Sequence, residues 1–149
     1  MRLYLDVCCL NRPFDDQTQG RIRLEAEAVL LILGRCEAAE WEWISSEVVD
    51  VEIGRTPDPE RRRRTSHLSE HAHQRVRVAQ QQIERAETLS SWGFGAYDAL
   101  HIACAESGAV DVFLTTDDTL LRRASTLVHE LRVRVCNPLV WLSEEERLR

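Results

Sequence analysis

The sequence predicts an α/β fold in which one parallel sheet is covered by helices on both faces. Short strand-like runs such as RLYLD and VFLTT alternate along the chain with longer segments of helical character. Parallel strands are joined by crossover connections, usually helices, and right-handed crossovers place these helices on the faces of the sheet. The length of 149 residues suits one ordinary domain with a sizeable core, so we expect a single domain over residues 1–149.

The chain opens with a predicted strand at residues 2–6, followed by a polar turn through Asn11, Pro13 and Asp16. Apolar residues then recur at helical spacing, which predicts a helix over residues 21–38. A strand followed by a helix of this length is the start of one crossover unit.

The next unit begins with WEWIS at residues 41–45, where apolar and polar residues alternate as they do in a half-buried strand. Ser46 has the character of a helix N-cap, since its hydroxyl can accept a hydrogen bond from the first helical turn. We therefore expect a helix in EVVDVEIGR that ends near Gly54.

The composition changes between residues 55 and 91. Eight arginines and four acidic residues lie between residues 55 and 85, where apolar residues are few. TPDPERRRR predicts a loop and a proline-marked helix start, and we expect the helical stretch after it to run to about Leu89. The apolar residues are too few for a separate core, so we expect a polar helical insertion, either a lid or a peripheral helical pair.

The last third of the chain continues the alternation. AYDALHIACAES is rich in Ala and has apolar residues at helical spacing, so it predicts a helix that stops at Gly108. The remaining elements are expected as a buried strand in VDVFLTT, a short helix in DDTLLRRAS, a strand in LRVRV and a turn or helix that begins at NPLVWL.

Charge and composition narrow the possible functions. All 19 basic residues are Arg, 25 residues are acidic, and the formal net charge is −6. This balance argues against a general nucleic-acid coat, but it is compatible with an enzyme whose acidic site binds a divalent metal and then a phosphate. The five cysteines form no C-x-x-C pair, so neither a disulfide framework nor a zinc knuckle is expected.

Hydropathy argues against a membrane protein. No apolar stretch approaches the roughly 20 residues that a membrane-spanning helix needs, and Met1 is followed at once by the first predicted strand rather than by a signal peptide. We therefore expect a soluble, cytoplasmic protein that has no membrane partner.

Acidic residues stand where the predicted strands end. Asp6 ends the first strand and Asp117 follows the VFLTT strand, while Asp98 lies near the start of the AYDALHIACAE helix. In an open parallel sheet, functional residues gather at the carboxyl ends of the strands. A fourth acid would come from the helix in EVVDVEIGR, which offers Glu47, Asp50 and Glu52. Glu47 has another explanation, as a favourable charge at a helix N-terminus.

Four carboxylates in one cleft would repel one another unless a cation lay between them. Mg²⁺ binds a few carboxylates together with waters and substrate phosphates, and such metals polarise a phosphate and help to generate hydroxide. The pattern therefore indicates metal-dependent phosphodiester hydrolysis. Taken singly, each acid also has a structural explanation as a turn, cap or first-turn residue.

Four stretches, taken in order, resemble the PIN-domain family, and in particular the small bacterial PIN proteins of the VapC toxin kind: LYLDVCCLN, ISSEVVDVEI, AYDALHIACAE and FLTTDD. The resemblance extends from Arg2 to about Val135 and is weakest between Arg55 and Ser91. It implies a three-layer α/β/α sandwich around a parallel sheet and a ribonuclease that depends on Mg²⁺ or Mn²⁺. It also implies an RNA substrate, an antitoxin protein as partner in a type II toxin–antitoxin pair, and a homodimer.

The resemblance implies catalytic and metal-binding roles for four acids. Asp6 matches the first-strand aspartate of the family, Asp98 the aspartate of its D-A-L helix, and Asp117 that of its T-x-D motif. Glu52 matches the acid of the S…E helix. By this resemblance Asp6, Glu52 and Asp98 hold the metal, while Asp117 completes the acidic shell and orients the attacking water.

Residues beside the matched acids receive secondary roles. Thr116 and Asp118 flank Asp117 and are expected to support water or metal binding, with Asp118 as the other candidate for the cap of the next helix. The sequence departs from the family where Val7 and Cys8 stand, since a Ser or Thr often follows the first aspartate. A thiol is a poor ligand for Mg²⁺, so a hydroxyl role at that position is in doubt.

Two other functions fit parts of the sequence. A PIN-like module that kept the fold without catalysis would act by binding RNA or a protein partner. HLSEH, at residues 67–71, matches the inverted zinc-protease motif, in which His67 and His71 would bind zinc and Glu70 would act as base. This motif lies in the most polar part of the chain, where a solvated helix face also explains it.

Further side chains are candidate substrate contacts. The run at residues 61–64, made of Arg61, Arg62, Arg63 and Arg64, would bind an RNA backbone or form a solvated face. His101, one turn after Asp98, either touches substrate or is a satisfied helix residue.

Overall fold

The computed structural model describes residues 1–148, and Arg149, the last residue of the expected domain, lies outside the described residues. The strands are β1 Arg2–Leu5, β2 Glu42–Ser46, β3 Gln74–Val76, β4 Val112–Leu114 and β5 Arg134–Cys136. The helices are α1 Val7–Asn11, α2 Gly20–Glu37, α3 Glu47–Gly54, α4 Pro59–Ser69, α5 Gln80–Ser91, α6 Ala96–Ser107, α7 Asp118–Thr126 and α8 Pro138–Arg147, and a short 3₁₀ helix spans Arg12–Phe14. Within residues 1–148, no helix is both long and apolar enough to span a bilayer.

The strands form one parallel sheet in the order β3-β2-β1-β4-β5. In the register of this sheet, Leu3 of β1 lies opposite Trp43 of β2 and Val112 of β4. The direction of strand addition reverses after β3, because β4 returns to the other side of β1. Right-handed crossovers then place α2 on one face and α5 with α6 on the other. This arrangement confirms the predicted three-layer α/β/α fold around a parallel sheet.

The core lies between the sheet and these helices. Tyr4 of β1 and Phe113 of β4 are fully buried, and their rings stack with centroids 5.2 Å apart and an angle of 11° between the ring planes. Val29 from α2 and Ile102 from α6 are also fully buried. Side chains of this size each contribute about 1.5–3 kcal/mol when removed from water, so apolar burial on both faces fixes the position of the central strands.

The segment after β1 differs from the expected turn. Residues 7–11 form the short helix α1 because the side chain of Asp6 accepts a hydrogen bond from the Val7 N–H at 2.8 Å and caps the helix. The capping aspartate therefore stands at the junction between β1 and α1, with its carboxylate held close to the end of the strand.

The prediction of a helical stretch that runs to about Leu89 was wrong in its middle. Residues 74–76 form β3, which pairs in parallel with the end of β2. His73 extends this pairing, since its N–H donates to the Trp43 carbonyl at 2.9 Å and its Nδ1 accepts the Trp43 N–H at 2.9 Å. A short, polar and partly exposed edge strand has no apolar alternation by which it could be recognised. A lid function for residues 55–91 stays a prediction.

Candidate metal centre

The central pair of strands brings two sequence-distant loops together at one edge of the sheet. Leu5, the last residue of β1, lies opposite Leu114, the last residue of β4. The Asp6 N–H donates to the Leu114 carbonyl at 2.9 Å, which extends the pairing by one residue. The strand order reverses between these two strands, and in open α/β sheets such a position is where ligands bind.

Asp6 presents a buried carboxylate at this edge. Its side chain is nearly inaccessible, with 6% of the residue exposed. One carboxylate oxygen accepts the Val7 N–H, and Oδ2 accepts the Thr115 hydroxyl at 2.8 Å. Burial raises the pKa of Asp6, while His101 and the Thr115 hydroxyl act in the opposite direction. A buried carboxylate with so few donors is a site where a bound cation would be stabilising.

Glu52 is the acid of α3 that reaches the centre. Its Oε1 lies 2.7 Å from Nε2 of His101 on α6. Glu47 instead accepts the Val78 N–H at 2.9 Å, and Asp50 pairs with Arg75 at 3.1 Å. The structure therefore separates the three candidates that the sequence left open, since only Glu52 among them joins the group around Asp6.

Asp98 stands in the first turn of α6 and adds a third carboxylate. Its pKa is raised to about 6 by burial first, and then by the nearby charges of Asp6 and Asp117. Glu52 raises this pKa as well. Asp98 therefore lies close enough to each of the other three acids selected from the sequence to be repelled by them when they are ionised.

Asp117 follows β4 and caps α7. Its Oδ1 accepts the N–H groups of Thr119 at 2.9 Å and Leu120 at 3.2 Å. Asp118, the expected capping candidate, instead forms a two-pronged ion pair with Arg21, with both N–O distances at 2.7 Å. The sequence left a capping or a secondary role open for Asp118; the cap is Asp117, and Asp118 is the first residue of α7.

Thr115 links two of the acids, although the sequence directed attention to Thr116. The Thr115 hydroxyl donates to Asp6 and accepts the Asp117 N–H at 3.1 Å. This second contact is an ST-turn, in which a hydroxyl accepts the N–H two residues on, so a Thr at that spacing before Asp117 was a usable signal. Thr116 is also buried, and its N–H donates to Sγ of Cys8 at 3.3 Å.

Cys8 occupies the position where a hydroxyl was in doubt. Its Sγ lies 3.4 Å from Oδ2 of Asp6 and 3.3 Å from Oγ1 of Thr115. The hydroxyl that contacts Asp6 is thus supplied by Thr115 from the neighbouring strand, while the thiol packs beside it.

His101, for which the sequence allows either a substrate contact or a satisfied place in the helix, lies among the acids. It is fully buried, and Nε2 contacts Glu52 while lying 3.8 Å from Oδ1 of Asp6. One ligand atom from each of Asp6, Glu52 and His101 lies within 4.8 Å of the other two, and no other such group of three occurs within residues 1–148. Its position one helical turn after Asp98 was the available signal.

The donor set fits a hard divalent cation. Carboxylate oxygens of Asp6, Glu52, Asp98 and Asp117 could hold such an ion together with water. In the described part of the chain, Nε2 of His101 lies near the carboxylates of Asp6 and Glu52, and no arginine pairs with any of the four acids. Burial first, and then the charges of Asp6 and Asp117, raise the pKa of Asp98, and a bound cation would favour its ionised form.

The arginine run at residues 61–64 lies on α4, and each of its side chains has a partner within the protein. Arg61 pairs with Asp15 at 2.7 Å, and Arg62 donates to the Thr56 carbonyl at 2.9 Å. Arg63 and Arg64 both pair with Glu60, at 2.6 and 3.0 Å. Of the three arginines in these ion pairs, Arg63 is the most exposed, with 73% of its side chain accessible.

The HLSEH motif is split by the end of α4. The helix ends at Ser69, so Glu70 forms its C-cap and His71 lies outside it. The two imidazole rings meet edge to face with centroids 5.6 Å apart, and 74% of the His67 side chain is exposed. These two histidines form no three-ligand group with another metal-binding side chain among the residues that the structure describes.

Comparison with known proteins identifies the family. The sequence model of the PIN domain matches residues 3–126, which is most of the chain. The chain belongs to the PIN-domain family. No curated protein matches the sequence.

Solved structures share this PIN fold at low sequence identity. The FitAcB structure from Neisseria gonorrhoeae matches with a TM-score of 0.60 and 14% identity, over 91% of this chain and 97% of that one. VapBC2 from Rickettsia felis, bound to a DNA fragment from its promoter, matches with a TM-score of 0.58 and 12% identity, over 92% and 98%. VapBC-1 from nontypeable Haemophilus influenzae matches with a TM-score of 0.56 and 17% identity, over 93% and 98%.

Proposed function

We propose that this PIN-domain protein is a Mg²⁺- or Mn²⁺-dependent ribonuclease. The observation that carries the proposal is the convergence of Asp6, Glu52, Asp98 and Asp117 at the carboxyl ends of β1 and β4, where no arginine of residues 1–148 pairs with them. A divalent metal held by these acids would polarise the scissile phosphate and lower the pKa of a bound water. No nucleophilic side chain is then required of the protein.

The side chains of the centre divide the remaining tasks. Asp6, Glu52 and Asp98 supply the oxygen ligands, and the Thr115 hydroxyl fixes the orientation of Asp6. Asp117 uses Oδ1 for the helix cap, so its other oxygen is the one that would orient the attacking water or complete the acidic shell. Thr116 and Asp118 support these residues from either side.

Partners follow from the same family membership. An RNA backbone would approach α4 through the most exposed arginines of the 61–64 run, in particular Arg63. The likeness to structures named VapBC and FitAcB supports an antitoxin protein as a partner, and we propose that the chain forms a homodimer in the cytoplasm. In this proposal the chain is one domain with a polar insertion at residues 55–91.

The proposal is tested by RNA cleavage in the presence of Mg²⁺ or Mn²⁺. Asp6→Asn should reduce the cleavage rate at least 100-fold, because Asn can still cap α1 but does not carry the ligating charge. Asp111→Asn removes an aspartate just before β4, at the opposite end of that strand, and should leave the rate unchanged. Full activity of Asp6→Asn, or of the wild type in excess chelator, would contradict the proposal. Tight RNA binding without turnover in any divalent metal would favour the non-catalytic binding module instead.

A further inference from the structure

A buried chain of hydrogen bonds ends at Glu52. The Tyr4 hydroxyl lies 2.6 Å from Oγ of Ser46 and 2.6 Å from Nδ1 of His101. Nε2 of the same imidazole lies 2.7 Å from Oε1 of Glu52. Ser46, Tyr4 and His101 are each completely buried, so water does not compete for these groups.

The donors and acceptors of this chain fit one direction. An ionised carboxylate only accepts hydrogen bonds, so the contact with Glu52 requires a hydrogen on Nε2 of His101. In the neutral ring Nδ1 is then an acceptor, which the Tyr4 hydroxyl satisfies by donating to it. The Tyr4 oxygen can accept from Ser46, whose own oxygen accepts the Val49 N–H at 3.4 Å. The opposite tautomer would place a lone pair of Nε2 against the carboxylate.

The series of hydrogen bonds begins and ends on the same helix. Ser46 is the N-cap of α3, and Glu52 lies on that same helix. The hydrogen bonds therefore run from the start of α3 through β1 and α6 and return to its last turn. Tyr4 is further restrained by stacking on Phe113.

We propose that His101 is a positioning residue that holds Glu52 in its metal-binding orientation, and that Tyr4 and Ser46 fix the tautomer it needs. This inference rests on the proposed function, since it assigns a role toward the same metal centre. Partners of metal ligands that act in this way typically contribute 10–100-fold to metal affinity. The imidazole itself is not a metal ligand in this arrangement, because its Nε2 hydrogen is directed at Glu52.

The test combines imidazole NMR with Mn²⁺ binding. The long-range ¹H–¹⁵N spectrum of the wild type should show His101 in the Nε2–H tautomer, and Tyr4→Phe should shift the Nδ1 resonance, because this nitrogen loses its hydrogen-bond donor. His101→Leu should weaken Mn²⁺ binding by about 10–100-fold. His101→Gln, whose amide can still donate to Glu52, should recover most of this loss. Ile102→Val, a buried change on the same helix, measures the effect of core destabilisation alone and should leave binding unchanged.

Three results would overturn the inference: an Nδ1–H tautomer in the wild type, unchanged Mn²⁺ affinity in His101→Leu, or coupling between bound ¹¹³Cd²⁺ and Nε2 of His101. These measurements need no RNA. A protein that meets all the expectations but cleaves no RNA would therefore refute the ribonuclease and leave the positioning role intact.

A second and independent observation concerns the rim of the centre. Arg55 is the C-cap of α3, three residues after Glu52, and Tyr97 immediately precedes Asp98 on α6. The Arg55 guanidinium lies 5.6 Å from the centroid of the Tyr97 ring. The Arg55–Tyr97 contact and the Glu52–His101 contact both join α3 to α6. Arg55 and Tyr97 are therefore sequence neighbours of Glu52 and Asp98, respectively.

Arg55 differs from the other arginines near the centre. Within residues 1–148 its side chain forms no ion pair or hydrogen bond, and the residue is exposed. Arg12 and Arg21 are paired with Glu25, and all four arginines of the 61–64 run have internal partners. A guanidinium in cation–π contact with an aromatic ring keeps the N–H donors at its edge free to bind phosphate oxygens.

We infer that Arg55, braced by Tyr97, binds an RNA phosphate next to the scissile group. A cluster of carboxylates repels a polyanion, and Arg55 supplies a positive charge three residues after Glu52, held over the ring of the residue that precedes Asp98. The inference deepens the proposed function by naming the substrate contact at its site.

The test measures RNA binding in the cleavage-deficient Asp6→Asn background by fluorescence anisotropy over a range of salt concentrations. Arg55→Gln should weaken binding about 5–10-fold and lower the slope of log K against log salt by about 0.7, as for one lost phosphate contact on a single strand. Tyr97→Leu should weaken binding in the same direction. Arg134→Gln carries the same charge change on an arginine that is paired with Glu144 and lies at the opposite end of the sheet, and it should alter affinity less than twofold. Equal effects of Arg55→Gln and Arg134→Gln, or none from Arg55→Gln, would overturn the inference even if RNA cleavage stands.

Discussion

Thr115 donates its hydroxyl hydrogen to Oδ2 of Asp6 across 2.8 Å, and in this way the end of β4 holds the carboxylate at the end of β1. The same oxygen accepts the N–H of Asp117. One buried hydroxyl thus joins two acids that are 111 positions apart in the chain, and the geometry of the centre depends on it.

Replacing Thr115 by Val should therefore impair the centre. Val has the same shape but neither donates to Asp6 nor accepts from Asp117, so two buried groups lose a partner. We expect the free energy of unfolding to fall by roughly 1–3 kcal/mol and Mn²⁺ to bind several-fold more weakly. Thr115→Ser should restore both. Thr65→Val is the matched control, since Thr65 is also fully buried but its hydroxyl donates to backbone carbonyls of α4. An equal loss of Mn²⁺ affinity in that variant would contradict the role assigned to Thr115.

Asp98 should destabilise the metal-free protein at neutral pH. Its pKa rises from 3.8 in the unfolded chain to about 6 in the folded protein, so ionisation is disfavoured in the fold. Both states are protonated well below pH 3.8, and stability is lost as the pH rises through 4 to 6. Because the side chain is partly exposed, we expect Asp98→Asn to raise the free energy of unfolding by about 1 kcal/mol at pH 7, or Tm by roughly 2–4 °C, and to have almost no effect at about pH 3.

This prediction is measured by calorimetry in chelator. A Tm for Asp98→Asn at pH 7 equal to or below that of the wild type would show that the carboxylates do not repel one another as described.

Divalent-metal binding should weaken as the pH falls through 6. Metal ligands must be deprotonated, and Asp98 takes up a proton near pH 6 while the raised pKa of Asp6 adds to the effect at lower pH. We expect Mn²⁺ affinity at pH 5 to be about tenfold below that at pH 7. Titration calorimetry at several pH values measures this, and a constant affinity from pH 5 to 7 would exclude Asp98 as a ligand.

Glu25 of α2 should be a major determinant of stability. It is 1% exposed, and its carboxylate accepts hydrogen bonds from the side chains of Arg12 at 2.9 Å, Arg21 at 3.3 Å and Asn137 at 2.6 Å. Removing one partner of a buried ion pair leaves the others without compensation, so Glu25→Gln should cost roughly 3 kcal/mol in urea unfolding. Glu27→Gln lies on the exposed side of the same helix and should cost less than about 0.5 kcal/mol. A similar cost for the two variants would contradict this view of the network.

Much of the fold was predictable because its signals are local. The Ser46 cap, the Ala-rich helix that stops at Gly108 and the apolar central strands all agree with the structure. The strand at Gln74–Val76 was not recognised, because its place in the sheet comes from hydrogen bonds to β2 rather than from its own side chains.

The positions of the acids could be predicted from strand ends, but their partners could not. Either of two consecutive aspartates can cap a helix; Asp117 does so in the structure, while Asp118 binds Arg21, which is 97 residues away in the chain. The role of His101 likewise depends on Tyr4 and Glu52, which approach it only in the folded chain. Tertiary contacts of this kind leave no pattern in the local sequence.

The central claim is that Asp6, Glu52, Asp98 and Asp117 form one divalent-cation site, and direct measurement of Mn²⁺ binding by electron paramagnetic resonance tests it. The wild type should bind Mn²⁺, and Asp6→Asn, Glu52→Gln, Asp98→Asn and Asp117→Asn should each weaken binding by at least tenfold, while Asp111→Asn binds like the wild type. A wild-type protein that binds no Mn²⁺ at neutral pH, or that binds it equally well after each of the four substitutions, would contradict the claim.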